Sequence, residues 1–256
     1  MKNKKIGSLA VLVVTGALCV TTSSLLASET DDRIEETAAK SYVFKTYLKE
    51  DSVQTASVDG VVTLSGTVAY DFHKSLAQDT VEGLPGVKSV NNSIVVKEEV
   101  PAKDTDTWLT RKVKTALIFH RNVNASATQV TTKDGTVHLE GIASSTAQKE
   151  LTTEYVSDVE GVKHVDNDMT VAEAPATSDR TIIEKIDDSS ITAQIKLSLL
   201  THRSTSALKT EIKTVNGVVT VGGMAQNAAE RSLVTKLVSD IHGVSSVVNK
   251  MAVKNE

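Results

Sequence analysis

Three stretches of the chain, DGVVTLSG (59–66), DGTVHLEG (134–141) and NGVVTVGG (216–223), share one pattern of apolar and polar positions. In them Val62 and Leu64, Val137 and Leu139, and Val219 and Val221 take every second position, which predicts a strand with one buried face. The DG or NG ahead of each strand predicts a tight type I′ hairpin turn, because both central residues of that turn need positive φ. Gly66, Gly141 and Gly223 are expected to close the strand before a helix begins. A helical period follows, through Leu151, Tyr155, Val156 and Val159 in the second stretch and Leu233, Leu237, Val238 and Ile241 in the third. A Gly-Val pair should end that helix, with Gly86, Gly161 or Gly243 in the left-handed cap conformation. A short last strand comes next: Val90, Ile94 and Val96 correspond to Val165, Met169 and Val171, and to Val247, Met251 and Val253. Ahead of each hairpin, Leu109, Val113, Ala116 and Leu117 mark a first helix, matched by Ile191, Ile195, Ser198 and Leu199.

These positions recur at constant offsets. Gly60, Gly135 and Gly217 lie 75 and 82 residues apart, and the same offsets relate Gly86, Gly161 and Gly243, then Asn92, Asn167 and Asn249. The chain is therefore read as one unit used three times. The fold class is α+β, with three tandem small modules at residues 31–97, 105–172 and 187–254. Each runs helix, strand, strand, helix, strand, with a three-stranded mixed sheet covered on one face by two helices. The arrangement of the three modules stays open at this level.

The first residues open with Lys2, Lys4 and Lys5, pass through an apolar run from Ile6 to Val20 and then turn polar. That layout predicts a secretory signal peptide over residues 1–27 with cleavage after Ala27, and hence a periplasmic location. Its removal takes three lysines from a chain of net charge −4 and leaves −7. Cys19 is the only cysteine and follows Leu18, where a lipoprotein signal wants a small residue, so soluble export is expected over a lipid anchor. No basic excess points to nucleic acid.

Candidate chemistry is sparse. None of the six histidines has the i, i+4 spacing of a zinc pair, and His138 should point to solvent from its strand. His120 and His202 occupy one repeat position, each followed by arginine, and are expected to be cations at the end of a first helix, suiting its dipole. Glu98 with Glu99, and Asp187 with Asp188, read as solvated linker charge. No cluster of acid, base and nucleophile recurs in any unit. The expectation is a protein that is not an enzyme, with no metal and no cofactor.

The glycine after the hairpin turn, the V-x-L-x-G strand, the Gly-Val cap and the Val-x-Asn exit resemble the BON family, named for bacterial outer-membrane and nodulation-associated proteins. The resemblance covers nearly all of the predicted mature chain. It implies a non-enzymatic periplasmic protein that binds envelope surfaces and supports envelope integrity under osmotic or other stress, the alternative being a multivalent protein-interaction or chaperone-like adaptor. DSSITAQIKLSLL (188–200) is similar to an osmotically inducible periplasmic member. DTWLTRKVKTALI (106–118) resembles a module of a lipid-anchored member whose corresponding helix engages anionic phospholipid. That similarity implies peripheral contact with a phospholipid surface through Trp108, Arg111, Lys112, Lys114 and Phe119. At about 100° per residue with Leu109 at 0°, Trp108, Lys112 and Phe119 fall between roughly 260° and 300°, a stripe away from the core face. An aromatic ring beside cations suits a membrane interface; the competing reading packs Trp108 against the linker or a neighbouring unit.

Overall fold

The computed structural model describes residues 22–97, 102–172, 185–205 and 210–254. Most of the expected signal peptide lies outside the described residues, as do Glu98 and Glu99. The first module comprises α1 (Thr22–Lys40), α2 (Tyr42–Thr46), β1 (Ser52–Val58), β2 (Val61–Val68), α3 (Asp71–Glu82), β3 (Ser89–Asn92) and β4 (Val95–Val96). The second comprises α4 (Asp106–Ile118), β5 (Thr128–Lys133), β6 (Thr136–Ala143), α5 (Thr146–Ser157), β7 (His164–Asn167) and β8 (Thr170–Val171). The third comprises α6 (Asp188–Thr201), β9 (Thr210–Val215), β10 (Val218–Ala225), α7 (Ala228–Ser239), β11 (Ser246–Asn249) and β12 (Ala252–Val253). In each, the second hairpin strand is central: it pairs antiparallel with the first and parallel with the last. The last strand is broken into two short pieces, both on the same edge.

Three local devices explain why the sequence folds this way. The turn residues Asp59, Asp134 and Asn216 have φ of 53°, 52° and 51°, and the glycines after them are also positive, as a type I′ turn demands. An aspartate on each first helix, midway along α1 and at the first residue of α4 and α6, then ties the turn down. The amides of Asp59 and Gly60 donate to Asp31 at 2.8 and 2.9 Å, those of Asp134 and Gly135 to Asp106 at 2.7 and 2.9 Å, and those of Asn216 and Gly217 to Asp188 at 2.7 and 2.8 Å. Finally, an asparagine staples the break in each last strand to the second helix. Asn92, Asn167 and Asn249 donate to the carbonyls of Lys74, Lys149 and Arg231, and accept from the amides of Ile94, Met169 and Met251.

Two glycine expectations are corrected. Gly66, Gly141 and Gly223 do not close their strands: β2, β6 and β10 run two residues beyond them. A Cβ on Gly66 would come within 1.8 Å of the Ser52 carbonyl oxygen, so backbone approach of the neighbouring strand excludes a side chain there. Gly86, Gly161 and Gly243 do have positive φ, but they sit past the helix end, at the third position of a turn closed by the amides of Val87, Val162 and Val244 on the carbonyls of Leu84, Val159 and Ile241.

The modules pack into one body rather than hanging as separate beads. At its centre is α6, buried on most of its circumference, as expected of a helix with neighbours all round. It contacts α3 of the first module, α4 of the second and α7 of its own. The first module's opening helix differs from the other two. It breaks at Ser41, which has an extended backbone and caps α2 through its hydroxyl. The freed amides of Tyr42 and Val43 donate to Asp187 and to the Ser190 hydroxyl at the start of α6. Asp187 is thus the N-cap of α6, and Asp188 holds a hairpin turn. Neither is the solvated linker charge that the sequence suggested.

Candidate functional site at the module junction

Helix α4 carries the residues expected to meet lipid, and the structure gives it two buried faces instead of one. Leu109, Val113, Ala116 and Leu117 line the core of the second module as anticipated. The second stripe faces the other modules. Phe119 is fully buried, edge-on to the Tyr47 ring at 5.5 Å between centroids. This corrects its placement on an outward stripe: Tyr47 and α6 cover what would be open in an isolated module. Trp108 is half-buried, lying over Gly161 and sharing a small cavity with Phe72 of the first module and Leu197 of the third. Lys112 holds its ammonium 4.8 Å from the indole centroid and 2.8 Å from the Glu160 carboxylate, with 13% of its side chain exposed. That ion pair keeps Glu160 below the usual carboxylate range.

Arg111 and Lys114 face a groove of about 570 Å³ between α4, β5 and the first module, walled by Tyr70, Phe72, Ile118 and Val130. The Arg111 guanidinium lies 5.6 Å from the Tyr70 ring centroid, and Tyr70 stacks on Phe72 at 5.7 Å. Lys114 is exposed at the rim. Asp106 also lines the groove, but two backbone amides already occupy its carboxylate. The five residues are therefore not one surface. Arg111 and Lys114 share an open groove, Trp108 and Lys112 lie beside it at the junction, and Phe119 is inside.

The contact between the second and third modules escaped sequence reasoning. His120 and His202 are 1% and 3% exposed, and each reaches across to the other module. Nδ1 of His120 lies 3.3 Å from Asp240, at the end of α7, and Nδ1 of His202 lies 3.2 Å from Asp158, at the end of α5. Both contacts are close but poorly directed for hydrogen bonding. The following arginines repeat the exchange: the Arg121 amide donates to the Asp240 carbonyl at 2.9 Å and the Arg203 amide to the Asp158 carbonyl at 2.8 Å. The contact is thus reciprocal, as across a two-fold axis. Burial, only partly offset by Asp240, lowers the pKa of His120, so it is a neutral interface residue and not the dipole-suited cation expected. Burial would raise Asp158, yet His202 and Ser204 outweigh it and hold its carboxyl below the usual range. The signal lay in the repeat itself. His-Arg at 120–121 and 202–203, with Asp158 and Asp240, follow the 82-residue offset, while the first module has Lys45, Thr46 and Gly83 at those places.

Among the described residues, no group of three or more His, Cys, Asp or Glu is placed to hold a metal ion, and no helix is long and apolar enough to cross a membrane. Three copies of one α+β unit, each with the same aspartate tie and asparagine staple, make this a tandem-module protein. The chain belongs to the BON domain family, whose model matches residues 30–98, 105–173 and 187–255. It is 30% identical to osmotically-inducible protein Y of Escherichia coli over 58% of this chain and 73% of that protein. It is 28% identical to the outer membrane lipoprotein DolP of Haemophilus influenzae over 57% of this chain and 75% of that protein. A 21 kDa hemolysin of Actinobacillus pleuropneumoniae matches at 28% over 53% of this chain and 71% of its own length.

Proposed function

We propose that this chain is a non-enzymatic periplasmic protein that attaches to the cell envelope by binding anionic phospholipid, and that it supports envelope integrity under osmotic or other stress. The observation that carries this reading is the groove beside α4, where Arg111 and Lys114 stand over an aromatic and aliphatic wall, cation beside apolar surface as a phospholipid headgroup region requires. The names of the relatives, one osmotically inducible and one an outer membrane lipoprotein, support the compartment and the stress role. A basic residue close to an anionic bilayer contributes about 1 kcal/mol, which exposed Lys114 can supply, while Arg111, half-buried over the Tyr70 ring, supplies less. Lys112, paired with Glu160, likewise adds less. Trp108 sits at the edge of this surface, and Phe119 reaches lipid only if the modules separate. Attachment is weak and salt-sensitive.

The test is Trp108 fluorescence of the mature protein titrated with phosphatidylglycerol vesicles against neutral vesicles at two salt concentrations. A blue shift with anionic vesicles alone, reduced by salt and by Lys114→Glu, is the expected result. Emission that neither vesicle moves, together with unchanged sedimentation of Lys114→Glu, overturns the reading. A second reading, an envelope adaptor that docks other proteins, draws on the uncovered sheet face of the third module, where Val215, Val218 and Val248 are 51%, 39% and 43% exposed. It predicts capture of envelope proteins that survives detergent and ignores Lys114.

A further inference from the structure

We propose that the contact between the second and third modules is a latch that acid opens, with His120 as its sensor. The two rings lie 5.7 Å apart between centroids, in an interface from which water is nearly excluded. His120 stacks on Tyr155 at 4.1 Å, and its Nε2 lies 3.3 Å from the Ser198 hydroxyl. The Tyr155 hydroxyl donates to Asp240 at 2.7 Å, and Asn122 donates to the other oxygen of the same carboxylate. Asp240 is therefore already committed to two donors and offers His120 only a poorly directed contact.

The charges around the contact balance while His120 is neutral. The ends of α4 and α6 bring Arg121 and Arg203, and α7 brings Lys236 with Asp240 at its end. Helix α5 brings Glu154 and, at its end, Asp158, all around a cleft of about 240 Å³ or directly bonded across it. His242, on the turn after α7, is a third imidazole, its pKa also lowered by burial. Three cations thus meet three carboxylates. A proton taken up by His120 adds a charge without a counterpart in a dry contact. In the open form the His120 imidazole is hydrated and protonates near its ordinary pKa of about 6.5. Acid consequently favours the open form, and the chain through residues 173–187 keeps the separated modules tethered. Opening uncovers Phe119, Val159 and Ile241, which lie at the joined ends.

The latch is tested by hydrogen–deuterium exchange of the mature chain at pH 7.5, 6.5 and 5.5, corrected for intrinsic exchange rates. The amides of Arg121, Arg203 and His242, which cross the contact to the carbonyls of Asp240, Asp158 and Phe119, report opening. Amides within β6 and β10 report the folds of the two modules. Between pH 7.5 and 5.5 the crossing amides should lose protection by at least about tenfold, the factor for one histidine that stays neutral when closed, with the sheet amides unchanged. In His120→Gln the acid response should shrink to the part that His242 supplies. Should that variant fail to fold, the titration of the histidine ring protons in the unaltered chain replaces it, with midpoints that coincide with the loss of amide protection. Crossing amides that stay protected at pH 5.5, lose protection together with the sheets, or respond to acid equally in the variant overturn the proposal.

Discussion

The third module meets its two neighbours through unlike surfaces. Toward the second module the contact is reciprocal, each side giving a His-Arg pair and receiving an aspartate. Toward the first it is one-sided: α3 lies along α6, where Gly83 approaches Ser189 so closely that a Cβ would stand 3.0 Å from the serine's own, and one cation, Lys196, crosses it to Asp79 and Glu82. Gly83 is the repeat equivalent of Asp158 and Asp240. The kind of contact thus follows three repeat positions, where Lys45, Thr46 and Gly83 stand for the histidine, arginine and aspartate of the other two modules. A carboxylate at the last of them builds a polar, titratable joint, and its loss allows backbone to close on a small-residue helix. Copies of one fold acquire different partners by changing a few residues at helix ends, with the core left alone.

The largest test strikes the point where all three modules meet. Phe119→Ala should cost about 3–5 kcal/mol in chemical denaturation, the range for emptying a buried phenylalanine site. It removes the ring that packs on Tyr47, next to the carbonyl that accepts from His242. A loss under 1 kcal/mol would put Phe119 back on the lipid-facing side. Next comes the reciprocal joint. Asp240→Ala strands Tyr155, Asn122 and His120 in a buried site and should cost about 3 kcal/mol. Asp158→Ala should cost less, because the side chain of Asp158 is 18% exposed against 5% for Asp240. Equal costs would mean that the two halves of the joint are equivalent in energy as well as in geometry.

The two joints should also separate with pH. His120 and His242 have lowered values when folded, so what they contribute is complete above about 6.5 and is lost as pH falls through that value. Asp158, also lowered, keeps its contribution down to its ordinary value of 3.8 and loses it below. Acid unfolding followed by circular dichroism and Trp108 emission should therefore begin near pH 6 and steepen below 4. A single transition below pH 4 would remove the histidines from the account. On the one-sided joint, Gly83→Asp supplies the carboxylate the other modules carry, in a space already filled by Ser189. It should cost about 1–3 kcal/mol through overpacking and loosen α3 from α6, read as faster exchange of the Tyr42 and Val43 amides.

Much of each module was legible and the joints were not, for a physical reason. Strand alternation and turn glycines act within a few residues, so Val62 with Leu64 and Asp59 with Gly60 declare a hairpin unaided. The second stripe of α4 is equally visible, yet its meaning depends on what covers it. Trp108 and Phe119 look the same beside a bilayer as beside Phe72 and Tyr47. His120 has the sequence context of a helix-end cation, and only the opposing module makes it buried and neutral. The aspartate tie was within reach, because Asp31, Asp106 and Asp188 each precede their turn residue by 28 positions. Scanning the repeat for polar identities as well as apolar ones would have found it.

The smallest expected effect completes the contrast. The ammonium of Lys196 lies 3.0 Å from Asp79 and 3.9 Å from Glu82, with 39% of its side chain exposed. Burial raises the pKa of Asp79 even with that ammonium beside it, so the pair does not fully repay the desolvation of the carboxylate. Lys196→Met keeps the stem that lies along α3 and removes only the charge. The loss should be at most about 1 kcal/mol and should shrink as salt is added. Its pH signature runs opposite to that of the histidine joint. A carboxyl raised in the fold destabilises the native state when ionised, so acid relieves this contact while it opens the other. Removing Lys196 should enlarge that relief, leaving the variant closest to the unaltered chain near pH 4 and furthest from it at neutral pH. A deficit that is constant from pH 4 to 8 would assign the role of Lys196 to its aliphatic stem and its packing alone.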